Sequence, residues 1–67
     1  MTALEAFEQT IRDDPTRGLI ADHWLKKLES YDPANPEFYY RVVDTEWQVF
    51  RSGWMAAQAE FEKFNAL

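Results

Sequence analysis

The stretch that decides the fold runs Tyr40-Arg41-Val42-Val43-Asp44-Thr45-Glu46-Trp47-Gln48-Val49-Phe50-Arg51-Ser52-Gly53-Trp54-Met55-Ala56-Ala57-Gln58-Ala59-Glu60-Phe61-Glu62-Lys63-Phe64. In it Tyr40, Val43, Trp47, Phe50, Trp54, Ala57, Phe61 and Phe64 recur at alternating gaps of three and four residues. Such spacing keeps every one of them on a single helical stripe, a heptad seam that is mostly aromatic. Just upstream, Asn35 offers an N-cap oxygen, Pro36 suits a first helical turn and Glu37 favours the positive end of the dipole. Together these signals predict a helix over 36–64.

Working outward, two clusters of turn-forming residues divide the rest: Asp13-Asp14-Pro15-Thr16-Arg17-Gly18 and Tyr31-Asp32-Pro33-Ala34-Asn35-Pro36. Thr2 with Glu5 has the spacing of a capping box, and Leu4, Phe7 and Ile11 follow at helical intervals, predicting a helix over 3–12. Glu8 and Arg12 form an i,i+4 pair on it. Asp14 as N-cap before Pro15 predicts a second helix over 15–30, its stripe made of Ile20, Trp24 and Leu28 with Leu19 and Leu25 alongside. Lys26 and Lys27 suit its C-terminal half. Gly18 weakens that helix by about 1 kcal/mol relative to alanine, or else stops the first one. The expected architecture is therefore all-α: a single domain, 1–67, with two short helices packed on a long C-terminal amphipathic helix, as a three-helix bundle or a helical dimer.

The third helix is long for its domain. At 1.5 Å per residue it spans roughly 43 Å, whereas a compact chain of this size has a diameter near 28 Å. Either it breaks near Ser52-Gly53, or it projects and packs against another chain. A continuous helix is the favoured form, and whatever part of the seam stays uncovered is a candidate dimer or partner surface. If the seam is buried at Trp54, Trp54→Ala should cost about 3–5 kcal/mol, as large-to-small core changes do.

Composition narrows the function. Seven Lys and Arg against twelve Asp and Glu give a net charge of −5. No cysteine is present, which removes disulfides, thiolate metal sites and cysteine nucleophiles. Neither a basic leader with an apolar run nor a membrane-length apolar stretch is visible, so a cytoplasmic protein without membrane contact is expected. Eleven aromatic residues are a heavy load for 67 positions. A chain this small buries only about 60% of its unfolded surface, so some rings are expected to face a partner.

Catalytic constellations are not evident. His23 beside Asp22 lacks a second histidine to complete a metal site, and neither Ser30 nor Ser52 sits in a nucleophile motif; a rim histidine is the simpler reading. The carboxylate pairs Asp13-Asp14, Asp44 with Glu46 and Glu60 with Glu62 read as a cap pair and solvated helix faces. Members two residues apart on a helix point about 200° apart and cannot share a substrate. Two glycines, Gly18 and Gly53, cannot build a phosphate loop. The basic residues Arg12, Arg17, Lys26, Lys27, Arg41, Arg51 and Lys63 are scattered among more numerous acids, which disfavours direct nucleic-acid binding. No enzyme, cofactor or metal is expected.

Half of the aromatic stripe or more is core. The three adjacent rings Phe38-Tyr39-Tyr40 point about 100° apart on a helix, however, and cannot all face one core. Tyr39, Tyr40, Arg41, Trp47, Trp54 and Met55 are the partner-binding candidates, because Trp, Tyr and Arg dominate protein-binding hot spots. Val42, Val49 and Ala56 form a weaker second stripe, with a seven-residue repeat, that would suit packing on two sides.

At Trp47-Gln48-Val49-Phe50-Arg51-Ser52-Gly53-Trp54-Met55-Ala56-Ala57 the chain resembles small proteins of tailed bacteriophages, many of which carry a W-x-x-F-x-x-G-W-x-A-A aromatic helix near the C-terminus. The resemblance implies an early or accessory factor, working in the host cytoplasm, that binds and redirects a host enzyme, including inhibitors of host defence. It supplies no shared site, so no residue role is carried over. The leading expectation is a non-enzymatic protein-binding factor that inhibits or redirects a host protein by occluding a surface, with a homodimer as one form. An acidic nucleic-acid mimic that blocks a basic groove is the first alternative, and a structural homo-oligomerisation module is the second. Mimicry should weaken steeply between about 50 and 200 mM salt, whereas aromatic docking should barely change.

Overall fold

The computed structural model describes residues 1–29 and 32–65. The chain is all-α: α1 (Ala3–Asp13), a 3-10 turn (Arg17–Ile20), α2 (Ala21–Trp24) and the long C-terminal α3 (Arg41–Asn65). Among the described residues no named strand occurs, only isolated bridges at Lys27–Phe38 and Asp32–Asn35.

α1 begins as its sequence directs. Glu5 N–H donates to Thr2 Oγ1 and Thr2 N–H donates to Glu5 Oε1, both at 3.1 Å. Hydrogen bonding from the Thr2 backbone N–H, and then from the Thr2 side chain, holds the Glu5 carboxyl below its ordinary pKa. The apolar face then turns Phe7 and Ile11 inward, where they are buried.

The second expected helix is much shorter than 15–30. Asp14 does cap, its Oδ1 accepting from Thr16 N–H at 2.8 Å and Arg17 N–H at 2.9 Å. Regular α-helix nevertheless covers only Ala21–Trp24, and the expected end at Ser30 lies outside the described residues. Beyond Leu25 the chain extends and pairs with the segment before α3. Tyr39 N–H donates to the Lys26 carbonyl (2.8 Å) and Leu28 N–H to the Glu37 carbonyl (3.0 Å). That pairing occupies backbone groups a longer helix would need. The buried positions shift accordingly: Ala21 and Leu25 face the core, whereas Leu19 and Ile20 face solvent.

α3 starts at Arg41 rather than 36, because the expected cap is used elsewhere. Asn35 Oδ1 accepts from the Trp47 indole N–H at 3.0 Å. Phe38 N–H donates to Asp44 Oδ1 (3.0 Å), and Asp44 N–H makes the first helical bond to the Tyr40 carbonyl (2.9 Å). From there α3 runs unbroken for 25 residues, straight through Gly53.

One core holds these pieces together: Phe7, Ile11, Ala21, Leu25, Phe38, Val43 and Trp47 are buried, with Leu4, Trp24, Tyr40 and Phe50 packed at its edge. Phe7 is its hub, its ring lying 5.5 Å from Phe38, 5.4 Å from Trp47 and 5.6 Å from Phe50 in tilted pairs. Ion pairs rim it. Arg17 bridges Asp14 and Glu46 of α3, and Lys27 reaches Glu8 of α1. Glu46, hydrogen-bonded to the Arg17 guanidinium, raises its pKa above the ordinary value.

Gly18 is fixed by a close approach. Its N–H donates to the Asp14 carbonyl at 2.8 Å, and a Cβ there would run into the Arg12 carbonyl oxygen. The principal extents, 44 × 29 × 18 Å, show how far α3 outreaches the head it anchors.

Candidate functional site

The seam divides at Trp54. Upstream, Val43 and Trp47 are fully buried and Phe50 is half-buried against Phe7. Downstream, the same heptad continues through Ala57, Phe61 and Phe64, exposed among the described residues. Phe61 is 68% exposed and Phe64 76%. Length explains the division. α1 has 11 residues, about 16 Å of helix, against about 38 Å for the 25 of α3, so one short helix covers less than half of the stripe.

Trp54 sits on the boundary. Its ring stacks on Phe50 with centroids 6.1 Å apart and planes 23° from parallel, so one side is packed and the other is open. Beside it a groove of about 390 Å³ runs between the start of α1, the Pro33-Ala34 turn and α3; Met1, Leu4, Arg51, Trp54 and Met55 are among its walls. A second, shallower depression of about 290 Å³ continues distally over Trp54, Ala57, Gln58 and Phe61. Among the described residues Arg51 makes no ion pair.

A separate aromatic group lies at the other end of α3. Tyr40 Oη is 2.7 Å from His23 Nε2, and the Tyr40 ring packs on Trp24 at 5.2 Å and on Tyr39 at 5.1 Å. Lys26 Nζ rests over the Tyr39 ring at 4.6 Å. His23 is thus exposed and engaged with a phenol rather than with a nucleophile. Among the described residues no group of three His, Cys, Asp or Glu is arranged to hold a metal.

The six partner candidates therefore separate. Tyr39 and Arg41 are exposed and Tyr40 is half-buried at the head end. Trp54 and Met55 stand about 20 Å along the helix, Met55 about 100° around from Trp54. Trp47 is no surface residue: it is fully buried and its indole N–H is used internally by Asn35. The weaker stripe of Val42, Val49 and Ala56, expected to pack a second side, faces solvent.

Phe61 and Phe64 belong to the expected seam but not to the six partner candidates. The signal for them was in the sequence: a segment before α3 too short to cover eight seam positions. No helix is long and apolar enough to cross a membrane among the described residues. No family model, curated protein or solved structure matches the chain.

Proposed function

We propose that the chain is a non-enzymatic protein-binding factor that lays the distal half of α3 against another protein and occludes the surface it covers. The observation that carries this is the uncovered continuation of the seam, Trp54 through Phe64, with Phe61 68% and Phe64 76% exposed. Large rings left in water on a rigid helix match helix-in-groove recognition, in which residues three and four apart anchor the contact. The resemblance to small phage proteins supplies the setting, a host enzyme inhibited or redirected in the cytoplasm.

Charge favours this over the acidic mimic. Glu8, Asp14, Asp22 and Glu46 are each paired with Arg12, Arg17 or Lys27 of the same chain. These four of the chain's twelve acids are set against cations and do not add to the dense negative face that a nucleic-acid groove would accept.

The test is affinity capture from lysate of the source cell or its host, with wild-type chain and Phe61→Asp/Phe64→Asp as parallel baits. A stoichiometric protein retained at high salt by the wild type alone is the expected result. Retention by both baits would remove α3 from the interaction, and loss of the captured protein at about 200 mM salt would favour the mimic.

A further inference from the structure

We infer that the distal half of α3 is covered by the same half of a second copy, paired antiparallel in the register that sets residue i opposite residue 118 − i. The inference rests on the proposal that this half is an interaction surface: the second copy covers it in the free protein and gives way to the bound target. Three features of the stripe select a second copy.

The first is shape. In an antiparallel pair of heptad seams, first-position residues pack against fourth-position residues of the neighbour. Trp54 and Phe61 occupy the first kind of position, Ala57 and Phe64 the second. Ala57 therefore lies opposite Phe61 of the second copy, a small residue facing a large one at both symmetry-related places. Trp54 lies opposite Phe64. The open side of Trp54 and the groove of about 390 Å³ beside it receive that phenyl ring.

The second is reach. The uncovered part of α3 begins at Gly53-Trp54 and is described to Asn65. In this register Asn65 of one copy sits opposite Gly53 of the other, so the described uncovered residues of the two copies overlap throughout. The two heads lie at opposite ends and do not collide. A parallel pair would bring both heads to the same end, where α1 already occupies the seam.

The third is charge. On one flank Arg51, which makes no ion pair among the described residues, approaches the last described turn of the other α3 near Asn65, the end of a helix that favours positive charge. On the opposite flank Glu60 approaches Glu60 of the second copy, which weakens the pair. Area sets the strength. Exposed ring surface from Phe61, Phe64 and half of Trp54 amounts to about 400 Å² per copy, below the ~800 Å² per partner of a standard interface. The dimer is accordingly weak and concentration-dependent.

Sedimentation analysis from about 1 µM to about 500 µM should show a monomer passing to a dimer, the range in which an undersized interface titrates. Phe61→Asp/Phe64→Asp should remain monomeric with an unchanged melting temperature, and Glu60→Gln should tighten the dimer several-fold. The chain has no native cysteine, so single spin labels report the register. Labels at Gln58→Cys should couple closely across the dimer, whereas labels at Asn65→Cys should stand about 18 Å or more apart, a twelve-residue offset at 1.5 Å per residue. Close coupling at both positions means a parallel pair and overturns the register. A wild-type monomer throughout, or a dimer that survives Phe61→Asp/Phe64→Asp, overturns the inference. If the monomeric wild type still captures another protein that the double variant loses, only the second copy is refuted; if neither bait captures anything, the binding proposal falls as well.

Discussion

The two halves of α3 carry one heptad and live in different solvents. Val43 and Trp47 are fully buried, with Phe7 and Phe38 packed on Trp47 and Asn35 satisfying its indole. Two and three heptad steps onward, Phe61 and Phe64 hold the same phase of the helix and stand in water. The pattern of apolar residues thus sets which face of a helix is sticky. How much of that face becomes core depends on how much chain is available to lie on it. Here α1 is too short to cover the stripe beyond Trp54, and the remainder stands in water.

The largest effect should separate the halves most cleanly. Trp47→Ala should cost about 3–5 kcal/mol, as buried Trp truncations do, and largely unfold the chain in a thermal melt. Phe64→Ala, the same kind of truncation on the same seam, should stay within about 0.5 kcal/mol of wild type at low concentration. Comparable losses at both positions would erase the distinction. Gly18→Ala should be next, at about 1–3 kcal/mol, because its Cβ meets the Arg12 backbone rather than a side chain that can yield.

Trp54→Ala measures the boundary itself. With one side of its ring on Phe50 and the other open, about 1–2 kcal/mol is expected in place of the full core cost, read from the denaturant midpoint. A loss above that range would move the boundary distally. Gly53 differs from Gly18 in sign: a Cβ there meets nothing within 4 Å, so Gly53→Ala should stabilise by about 0.5–1 kcal/mol through helix propensity. Measured destabilisation would mean that something already covers that face.

Much of this was legible in the residues, though unevenly. The capping box at Thr2 and Glu5 located α1, and the eight-position seam located α3, because both signals are local and unambiguous. The start of α3 and the extent of the second helix were not legible. Asn35 can cap a helix or accept from an indole, and only the position of Trp47 across the fold decides which. Lys26 and Leu28 leave helical geometry because Tyr39 and Glu37 offer backbone partners, a long-range pairing that periodicity cannot register. Trp47 and Trp54 looked alike as binding candidates because hot-spot composition is also core composition. Phe61 and Phe64 became distinguishable only when the length of α1 was set against that of α3.

The smallest effect concerns the turn that orients the head. Hydrogen bonds from Arg17 N–H, and then Thr16 N–H, hold the Asp14 carboxyl below its ordinary pKa. A carboxyl depressed by folding contributes stability that is full above its unfolded pKa and is lost as pH falls through the folded value. Melting temperatures followed down through the acid range should decline, and Asp14→Asn, which can still cap, should flatten part of that decline. An unchanged acid profile would show that the turn does not depend on the charge.

Hydrogen exchange along α3, measured at low micromolar and at several hundred micromolar chain, tests the division of this helix most directly. Slow exchange is expected from about Asp44 to Phe50 at both concentrations, with fast exchange beyond Trp54 that slows only in the concentrated sample. Equal protection of both halves in the dilute sample would overturn that division, because the distal stripe would then already be covered by its own chain.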